Sequence, residues 1–200
     1  MSLKGRKRND LGPCGLTLGG IVTHTMKLSH KLRLAVMLLM LGCTVGCDQT
    51  TKRIARRELG ERGFITLPGG FGEFRLADNP GSFLSFGDSL PKSLRLAIFT
   101  IGAGIGLFSL LGYLVFGGRF SWLVFVGLGL VWAGGMSNMI DRIARHGLVS
   151  DFIFVRVGPF HTGIFNVADV VIMIGGAVIA CDLWLRRHKQ AHKQAKEDQW

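Results

Sequence analysis

The sequence has few of the residues that build disulfide frameworks and metal centres. Its 200 residues include only four cysteines, five prolines and one tyrosine. The cysteines, Cys14, Cys43, Cys47 and Cys181, are scattered without the paired spacing of a zinc site, and three of them lie in apolar runs. We therefore expect neither a structural disulfide nor a bound metal.

Acidic residues are also scarce. The chain has 13 Asp and Glu against 24 Lys and Arg, for a formal net charge of +11. In a soluble protein this excess would favour nucleic acid as the partner. Here the basic residues cluster at the ends of apolar runs, which favours anionic lipid headgroups instead. We expect contacts with membrane phospholipids and no nucleic-acid partner.

Apolar residues, by contrast, make up 48% of the chain. The runs 94–116 and 120–139 each have the ~20 residues that cross a hydrocarbon core of ~30 Å. A third run, 167–185, is interrupted only by Asp169 near one end and Asp182 near the other. These runs predict an all-α integral membrane protein rather than a soluble domain with one anchor.

A fourth, shorter run covers residues 34–47, which as a helix is only ~21 Å long. It spans the membrane if Lys31, Arg33 and Lys52 extend their side chains to opposite interfaces. Asp48 and Lys52 are i,i+4 neighbours on such a helix, which predicts an ion pair with either a plain interfacial role or a role in a site.

The same stretch has a second interpretation. A basic segment, a short apolar segment and small residues before Cys43 or Cys47 also describe a lipoprotein signal peptide. A cleaved lipoprotein would not need three further spans, so we favour the first transmembrane helix.

Four spans divide the chain into a basic cytoplasmic arm (1–30), a membrane domain (31–185) and a basic cytoplasmic tail (186–200). The membrane domain has extracytoplasmic loops at about 53–93 and 140–166. Basic arm and tail together favour cytoplasmic termini. The 53–93 loop is basic as well, so charge alone leaves the orientation open.

The 53–93 loop contains two turn motifs, Pro68-Gly69-Gly70 and Asn79-Pro80-Gly81, between loosely alternating phrases. They predict a small β-hairpin or sheet lying on the membrane surface. Four phenylalanines of this loop either insert into the lipid interface or form a plain aromatic belt; they are Phe71, Phe74, Phe83 and Phe86.

Three short patterns elsewhere favour structural roles. Gly102 and Gly106 have the GxxxG spacing of a helix-packing face. Asp182 and Arg186 have the spacing of an ion pair on one helix face. The HxxxH pair at 188–192 lacks the Glu that a zinc-protease helix requires, which argues against a metal there.

The most informative feature is a set of polar residues inside or beside apolar phrases. The predicted topology brings nine of them to one membrane face: Asp48, Lys52, Asn79, Asn138, Asp141, Arg142, Asp151, Asn166 and Asp169. An Asp near the centre of a bilayer helix costs ~2.5–3.5 kcal/mol on insertion scales, so such residues need a partner or a function. Asn166 and Asp169 also fit a capping box, a purely structural role that does not account for Asp151.

Two carboxylates at one interface, with amides and an arginine nearby, favour an aspartic-protease-type dyad. Two acids that share a site cannot both ionise cheaply, so one keeps its proton while the other activates water. The alternative is a helix bundle or proton-coupled carrier in which Asp151 and Asp169 form a relay. That alternative predicts polar residues spread across the bilayer depth, which the sequence does not contain.

Five phrases resemble the signal peptidase II family, the bacterial lipoprotein signal peptidases. In chain order they are Asp48-Gln49-x-x-Lys52, Asn79-Pro80-Gly81-Ser82-Phe83, Asn138-x-x-Asp141-Arg142, Val149-Ser150-Asp151-Phe152-Ile153 and Phe165-Asn166-Val167-Ala168-Asp169. The resemblance covers about residues 31–185. The family usually has Gly where Ser137 stands, and its loop more often reads N-x-G-A-A-F, so these departures bear on loop shape and substrate preference.

The resemblance implies a reaction and a set of roles. The protein would be an intramembrane aspartic endopeptidase of the bacterial inner membrane that acts near the outer leaflet, without metal or cofactor. Apart from the resemblance, we expect a monomer. It would cut diacylglyceryl-modified prolipoproteins just before the lipidated cysteine. Asp151 and Asp169 would be the catalytic dyad. Residues lining or supporting the site would be Asn79, Asn138, Arg142, Asn166, Asp48, Lys52 and Asp141.

Overall fold

The computed structural model describes residues 28–81, 89–118 and 120–197. Within these ranges, four helices are long and apolar enough to cross a membrane. They are α1 His30–Arg62, α2 Lys92–Phe116, which contains a π-helical segment at Ala97–Gly102, α3 Trp122–Ala144 and α4 Val167–Glu197. The predicted four-span helical architecture is confirmed.

A small antiparallel sheet completes the fold in the described residues. Its strands follow the order β1 Phe64–Thr66, β2 Gly72–Asn79, β3 Val149–Val157 and β4 Phe160–His161. The predicted hairpin is the β1–β2 pair, whose turn contains Gly69 and Gly70 at φ values of 82° and 71°. The sheet is larger than that hairpin because the second extramembrane loop supplies β3 as the partner of β2.

The first helix is longer than predicted. Ser29 caps its start by accepting a hydrogen bond from the backbone N–H of Leu32 (3.3 Å), and Gly63, at φ 77°, ends it. The helix continues to Arg62, past the boundary expected at Lys52, because Ala55 and Leu59 pack there against the sheet. At 33 residues it is ~50 Å long and spans without help from its flanking cations.

The prediction that Arg33 and Lys52 extend their side chains to the lipid interfaces is therefore wrong. Arg33 is 6% exposed, and its guanidinium donates to the carbonyl oxygens of Gly117 (2.9 Å) and Gly118 (3.1 Å) in the connection between α2 and α3. Lys52 is fully buried and lies among acids and amides of the protein. Both cations stabilise contacts between helices instead of contacting lipid.

The predicted helix-packing face at Gly102 and Gly106 is wrong. A Cβ added at Gly106 would meet nothing within 4 Å. The close approach is between α3 and α4, where a Cβ at Gly127 would lie 2.8 Å from the carbonyl oxygen of Gly175, and one at Gly175 would lie 2.5 Å from that of Gly127. A GxxxG spacing permits close packing but does not determine which helix has a partner near enough to use it.

Two further predictions have definite outcomes. Asp182 and Arg186 form the expected ion pair, with 2.6 Å between Oδ2 and Nε, although Asp182 is fully buried. Of the loop phenylalanines, Phe71 is 65% exposed, whereas Phe74 is partly buried and packs against Phe152. The phenylalanines at 83 and 86 lie outside the described residues.

The glycine contact between α3 and α4 leads to a testable expectation. Gly175→Ala should lower the midpoint of thermal unfolding in detergent, because its Cβ would meet the backbone at the Gly127 carbonyl and the Val131 nitrogen (3.0 Å), with an overpacking cost of about 1–3 kcal/mol. Gly176→Ala is the matched control, since a Cβ there meets nothing within 4 Å. Equal midpoints for the two variants would contradict this packing.

Candidate active site

A cavity of about 370 Å³ lies between α2, α3, the start of α4 and one end of the sheet. One part of its wall is apolar, with Phe99, Gly106 and Leu110 of α2 among its residues. The other part is polar and contains six residues of the predicted site: Asn79, Asn138, Arg142, Asp151, Asn166 and Asp169. The structure thus brings together side chains from two loops and two helices.

The register of the sheet places Asn79 beside Asp151. Ala77 pairs with Asp151 and Asn79 with Val149, so Asn79 and Asp151 are diagonal neighbours on one face. The Asn79 amide Nδ2 donates to Asp151 Oδ2 at 2.8 Å. Asp151 is 1% exposed and its carboxylate lies at the end of β3 that faces the cavity.

Asn166 connects the two carboxylates. Its side-chain Oδ1 accepts from the backbone N–H of Asp169 (3.0 Å), while Asp169 Oδ2 accepts from the backbone N–H of Asn166 (3.2 Å). This is the predicted capping box at the start of α4. The same side chain also donates through Nδ2 to Asp151 Oδ1 at 2.6 Å. Capping and site assembly are therefore performed together by one residue.

Asn138, on α3, is a second amide that contacts the network between Asp151 and Asp169. Its Nδ2 donates to Asp169 Oδ1 (2.9 Å), and its Oδ1 accepts from Asn166 Nδ2 (3.1 Å) and from Lys52 Nζ (3.0 Å). Because an ammonium group can only donate, Lys52 fixes which end of the amide faces Asp169.

Lys52 has more partners than its helical spacing indicated. The predicted ion pair with Asp48 is present, at 2.7 Å from Nζ to Oδ2. A second carboxylate, Asp141, lies at 3.0 Å, and Asn138 takes the third position. All three donors of the ammonium group are used. Asp48, Lys52 and Asp141 lie outside the cavity wall and behind the amides that form it.

Two further polar residues around these acids were not predicted from the sequence. Ser137 Oγ donates to Asp48 Oδ2 (2.6 Å), and Gln49 Nε2 donates to Asp141 Oδ1 (2.9 Å). In the sequence, Ser137 stands where the family usually has glycine, and Gln49 belongs to the phrase Asp48-Gln49-x-x-Lys52. Both are polar residues within long apolar helices, which is the pattern that could have identified them.

Burial raises the pKa of Asp151 to about 6 from its ordinary value near 3.8. The hydrogen bond from Asn79 opposes this effect, the negative charge of Asp169 adds to it, and Asn166 and Lys52 oppose it. Asp151 therefore exchanges its proton close to neutral pH, as a general acid or base requires.

Arg142 supplies cationic donors to the cavity wall. One guanidinium nitrogen, Nη2, donates to the carbonyl oxygen of Gly81 (2.8 Å), two residues after Asn79 in the chain. Its Nε is buried and has no hydrogen-bond partner among the described residues. An N–H of this kind is available to an oxygen atom of a bound substrate.

The described residues contain no group of His, Cys, Asp and Glu arranged to hold a metal ion. The oxygens of Asp151 and Asp169 accept hydrogen bonds from nitrogen donors. In the HxxxH pair, His188 packs on the ring of Trp184 with 4.3 Å between centroids, and the side chain of residue 192 lies outside the description.

Residues 21–185 match the family model described as signal peptidase (SPase) II. A lipoprotein signal peptidase of Syntrophus aciditrophicus is 32% identical over 157 residues, which cover 76% of this chain and 94% of that protein. A lipoprotein signal peptidase of Rhodococcus jostii is 30% identical over 177 residues, covering 86% of this chain and 80% of its own.

Two solved structures, each described as a bacterial membrane enzyme, have a similar fold. Both superpose with a TM-score of 0.62, at sequence identities of 25% and 26%. The superpositions cover 75% and 74% of this chain and 88% and 92% of the solved chains. The similarity therefore extends over most of the four-helix domain.

The raised pKa of Asp151 predicts how stability depends on pH. A carboxyl whose pKa is raised on folding contributes its stability below the unfolded pKa near 4, and this contribution is lost as pH rises through about 6. Between pH 4.5 and 7.5, the thermal midpoint of the wild type should therefore fall relative to that of Asp151→Asn, whose side chain does not titrate. A constant difference between the two midpoints across this range would contradict the burial of an ionisable Asp151.

Proposed function

The chain belongs to the signal peptidase II family, and from this membership and the geometry of its cavity we propose that it is an aspartic endopeptidase. It removes signal peptides from lipoprotein precursors. We propose that it cuts just before the diacylglyceryl-modified cysteine and that Asp151 and Asp169 are its catalytic dyad.

One observation carries the proposed dyad. Asp151 and Asp169 are 1% and 5% exposed, line the same cavity and are linked through one amide, Asn166. Two buried carboxyls in one pocket cannot both ionise cheaply, which favours a pair that shares one proton. This is the protonation state that general acid and general base catalysis by a carboxyl pair requires.

The proposed reaction uses the pair twice. The ionised carboxylate takes a proton from a water molecule as its oxygen attacks the scissile carbonyl carbon, and the protonated carboxyl donates its proton to the carbonyl oxygen. When the tetrahedral intermediate collapses, the carboxyl that took the proton from water donates it to the leaving nitrogen and the C–N bond breaks, while the other carboxylate takes a proton from a hydroxyl of the intermediate as the new carbonyl forms. The dyad thereby returns to its starting state.

Arg142 and the apolar part of the cavity fit the two halves of a lipidated precursor. The free Nε–H of Arg142 is available to a carbonyl or lipid ester oxygen beside the dyad. Phe99, Gly106 and Leu110 line an apolar region suited to an acyl chain or to the apolar signal peptide. We propose that Asn79, Asn138 and Asn166 hold the dyad and that Arg142 contacts substrate.

The protein is a multi-pass membrane protein. We propose that it lies in the bacterial inner membrane with both termini in the cytoplasm and with the dyad and the sheet at the outer leaflet. The antiparallel spans place the dyad on the side of the membrane opposite the two termini, and the basic residues at both ends of the chain favour a cytoplasmic position for the termini. We further propose that it acts as a monomer in contact with phospholipids, without a cofactor or a nucleic-acid partner.

The two alternative interpretations fit the structure less well. A carrier needs a path of polar groups across the bilayer, whereas seven of the buried polar residues form one connected network around the dyad: Asp48, Lys52, Asn138, Asp141, Asp151, Asn166 and Asp169. Cleavage as a lipoprotein before Cys43 or Cys47 would remove Met37, which is fully buried in the helical core.

The first test is cleavage of a lipid-modified prolipoprotein by the purified protein in detergent. Asp151→Asn and Asp169→Asn should each lower kcat by a factor of about 10⁴ or more, because each removes a group that transfers a proton in the reaction. Both variants should keep the helical circular dichroism of the wild type. A folded variant with appreciable turnover would remove its residue from the dyad.

The second test concerns metal dependence. A chelator such as EDTA should leave the rate of precursor cleavage unchanged, because the proposed mechanism activates water with carboxyl groups alone. Inhibition by the chelator that is reversed by added zinc would contradict the aspartic mechanism.

A further inference from the structure

We propose that Lys52, Asp48 and Asp141 form a buried clamp that sets the separation of the two catalytic aspartates. Each acid of the clamp holds the backbone N–H of the residue immediately before one member of the dyad. The inference rests on the proposed dyad and assigns its positioning residues.

The first arm of the clamp holds Asp169. Asp48, on α1, accepts a hydrogen bond through Oδ1 from the backbone N–H of Ala168 at 2.9 Å. Ala168 lies in the first turn of α4, whose N–H groups have no partner within the helix. A carboxylate at a helix N-terminus is also favoured by the helix dipole. Asp48 thus fixes the start of α4 against α1 at the position next to Asp169.

The second arm holds Asp151. Asp141, on α3, accepts a hydrogen bond through Oδ2 from the backbone N–H of Ser150 at 3.1 Å. Ser150 is fully buried in β3, immediately before Asp151. Asp141 thus fixes the dyad end of the strand against α3.

Lys52 joins the two arms. Its ammonium nitrogen lies 2.7 Å from Asp48 and 3.0 Å from Asp141, and all three residues are at most 2% exposed. Its third donor holds the Asn138 amide, which donates to Asp169. One cation therefore bridges two acids that fix different elements. A shift of either arm moves one aspartate relative to the other.

The three clamp residues do not line the cavity, so they affect the reaction through position and charge rather than by touching substrate. A misplacement of about 1 Å in a reacting group can cost on the order of 10²-fold in rate. This predicts a loss in kcat without a matching change in KM. A residue that only stabilised the fold would change the thermal midpoint and leave kcat per folded molecule unchanged.

Asp48→Asn and Asp141→Asn should each lower kcat for the lipid-modified prolipoprotein by about 10–100-fold, with KM within about threefold of wild type. Lys52→Met should lower kcat at least as much. Because both arms act through Lys52, adding Asp48→Asn to Lys52→Met should cost much less than it costs alone. Additive losses, or clamp variants with the kcat of the wild type, would overturn the clamp.

Two milder variants keep the test decisive if an unpaired buried charge prevents folding. Ser137→Ala removes the hydrogen bond to Asp48 at 2.6 Å, and Gln49→Met removes the one to Asp141 at 2.9 Å, while all charges stay paired. Each should lower kcat about fivefold, the equivalent of one lost hydrogen bond. Unchanged kcat in both folded variants would count against the clamp.

Asp182→Asn is the matched control. Asp182 is also a fully buried acid in an ion pair, with Arg186, but it lies ~20 Å along α4 from Asp169. Its substitution should lower the thermal midpoint and leave kcat unchanged when all proteins are assayed at equal margins below their midpoints. If the clamp variants, like Asp182→Asn, lower the thermal midpoint and leave kcat unchanged, their role is only structural.

The outcome separates this inference from the proposed function. Failure of the folded wild type to cleave any precursor, or turnover by Asp151→Asn and Asp169→Asn, would reject the dyad itself. Cleavage by the wild type, inactive dyad variants and clamp variants with unchanged kcat would reject only the clamp.

Discussion

The burial of negative charge is the constraint on which this structure depends. Four carboxyl groups of the site, on Asp48, Asp141, Asp151 and Asp169, are at most 5% exposed, and Lys52 is the fully buried cation among them. An isolated buried carboxylate is strongly unfavourable, so each needs donors or a proton. Backbone N–H groups, three asparagines and Lys52 supply those donors. The helices and strands that carry them must therefore meet at one place.

The need to supply donors to these buried acids explains why side chains from α1, α3, α4 and the sheet meet at the site. The helix α1 contributes Asp48, Gln49 and Lys52 to one face because all three have partners on α3 or α4. The strand β3 joins a hairpin from the other loop, and their register brings Asn79 to Asp151. Close glycine contacts between α3 and α4 bring Asn138 near Asp169. The contacts that pack the membrane helices thus also hold the residues of the site together.

The chemistry follows from two sets of buried acids with different surroundings. Asp48 and Asp141 lie directly against the ammonium group of Lys52 and accept hydrogen bonds from backbone N–H groups of α4 and β3. Asp151 receives hydrogen bonds from neutral amides and lies at the cavity, where its pKa is raised by burial to about 6. Proximity to the cation therefore separates the acids that hold the structure from those proposed to exchange protons.

The sequence by itself determined the number of spans, because their length and apolarity depend on local composition. It also indicated most of the polar residues that line the cavity, because polar groups such as Asp151 are rare within apolar phrases, although it did not indicate Ser137 or Gln49. Only the tertiary structure decided their partners. The burial of Arg33 and Lys52 and the choice of the α3–α4 interface over Gly102 and Gly106 depend on which distant segments approach each other. Helical spacing specifies neighbours within one helix, whereas the second and third partners of Lys52 come from another.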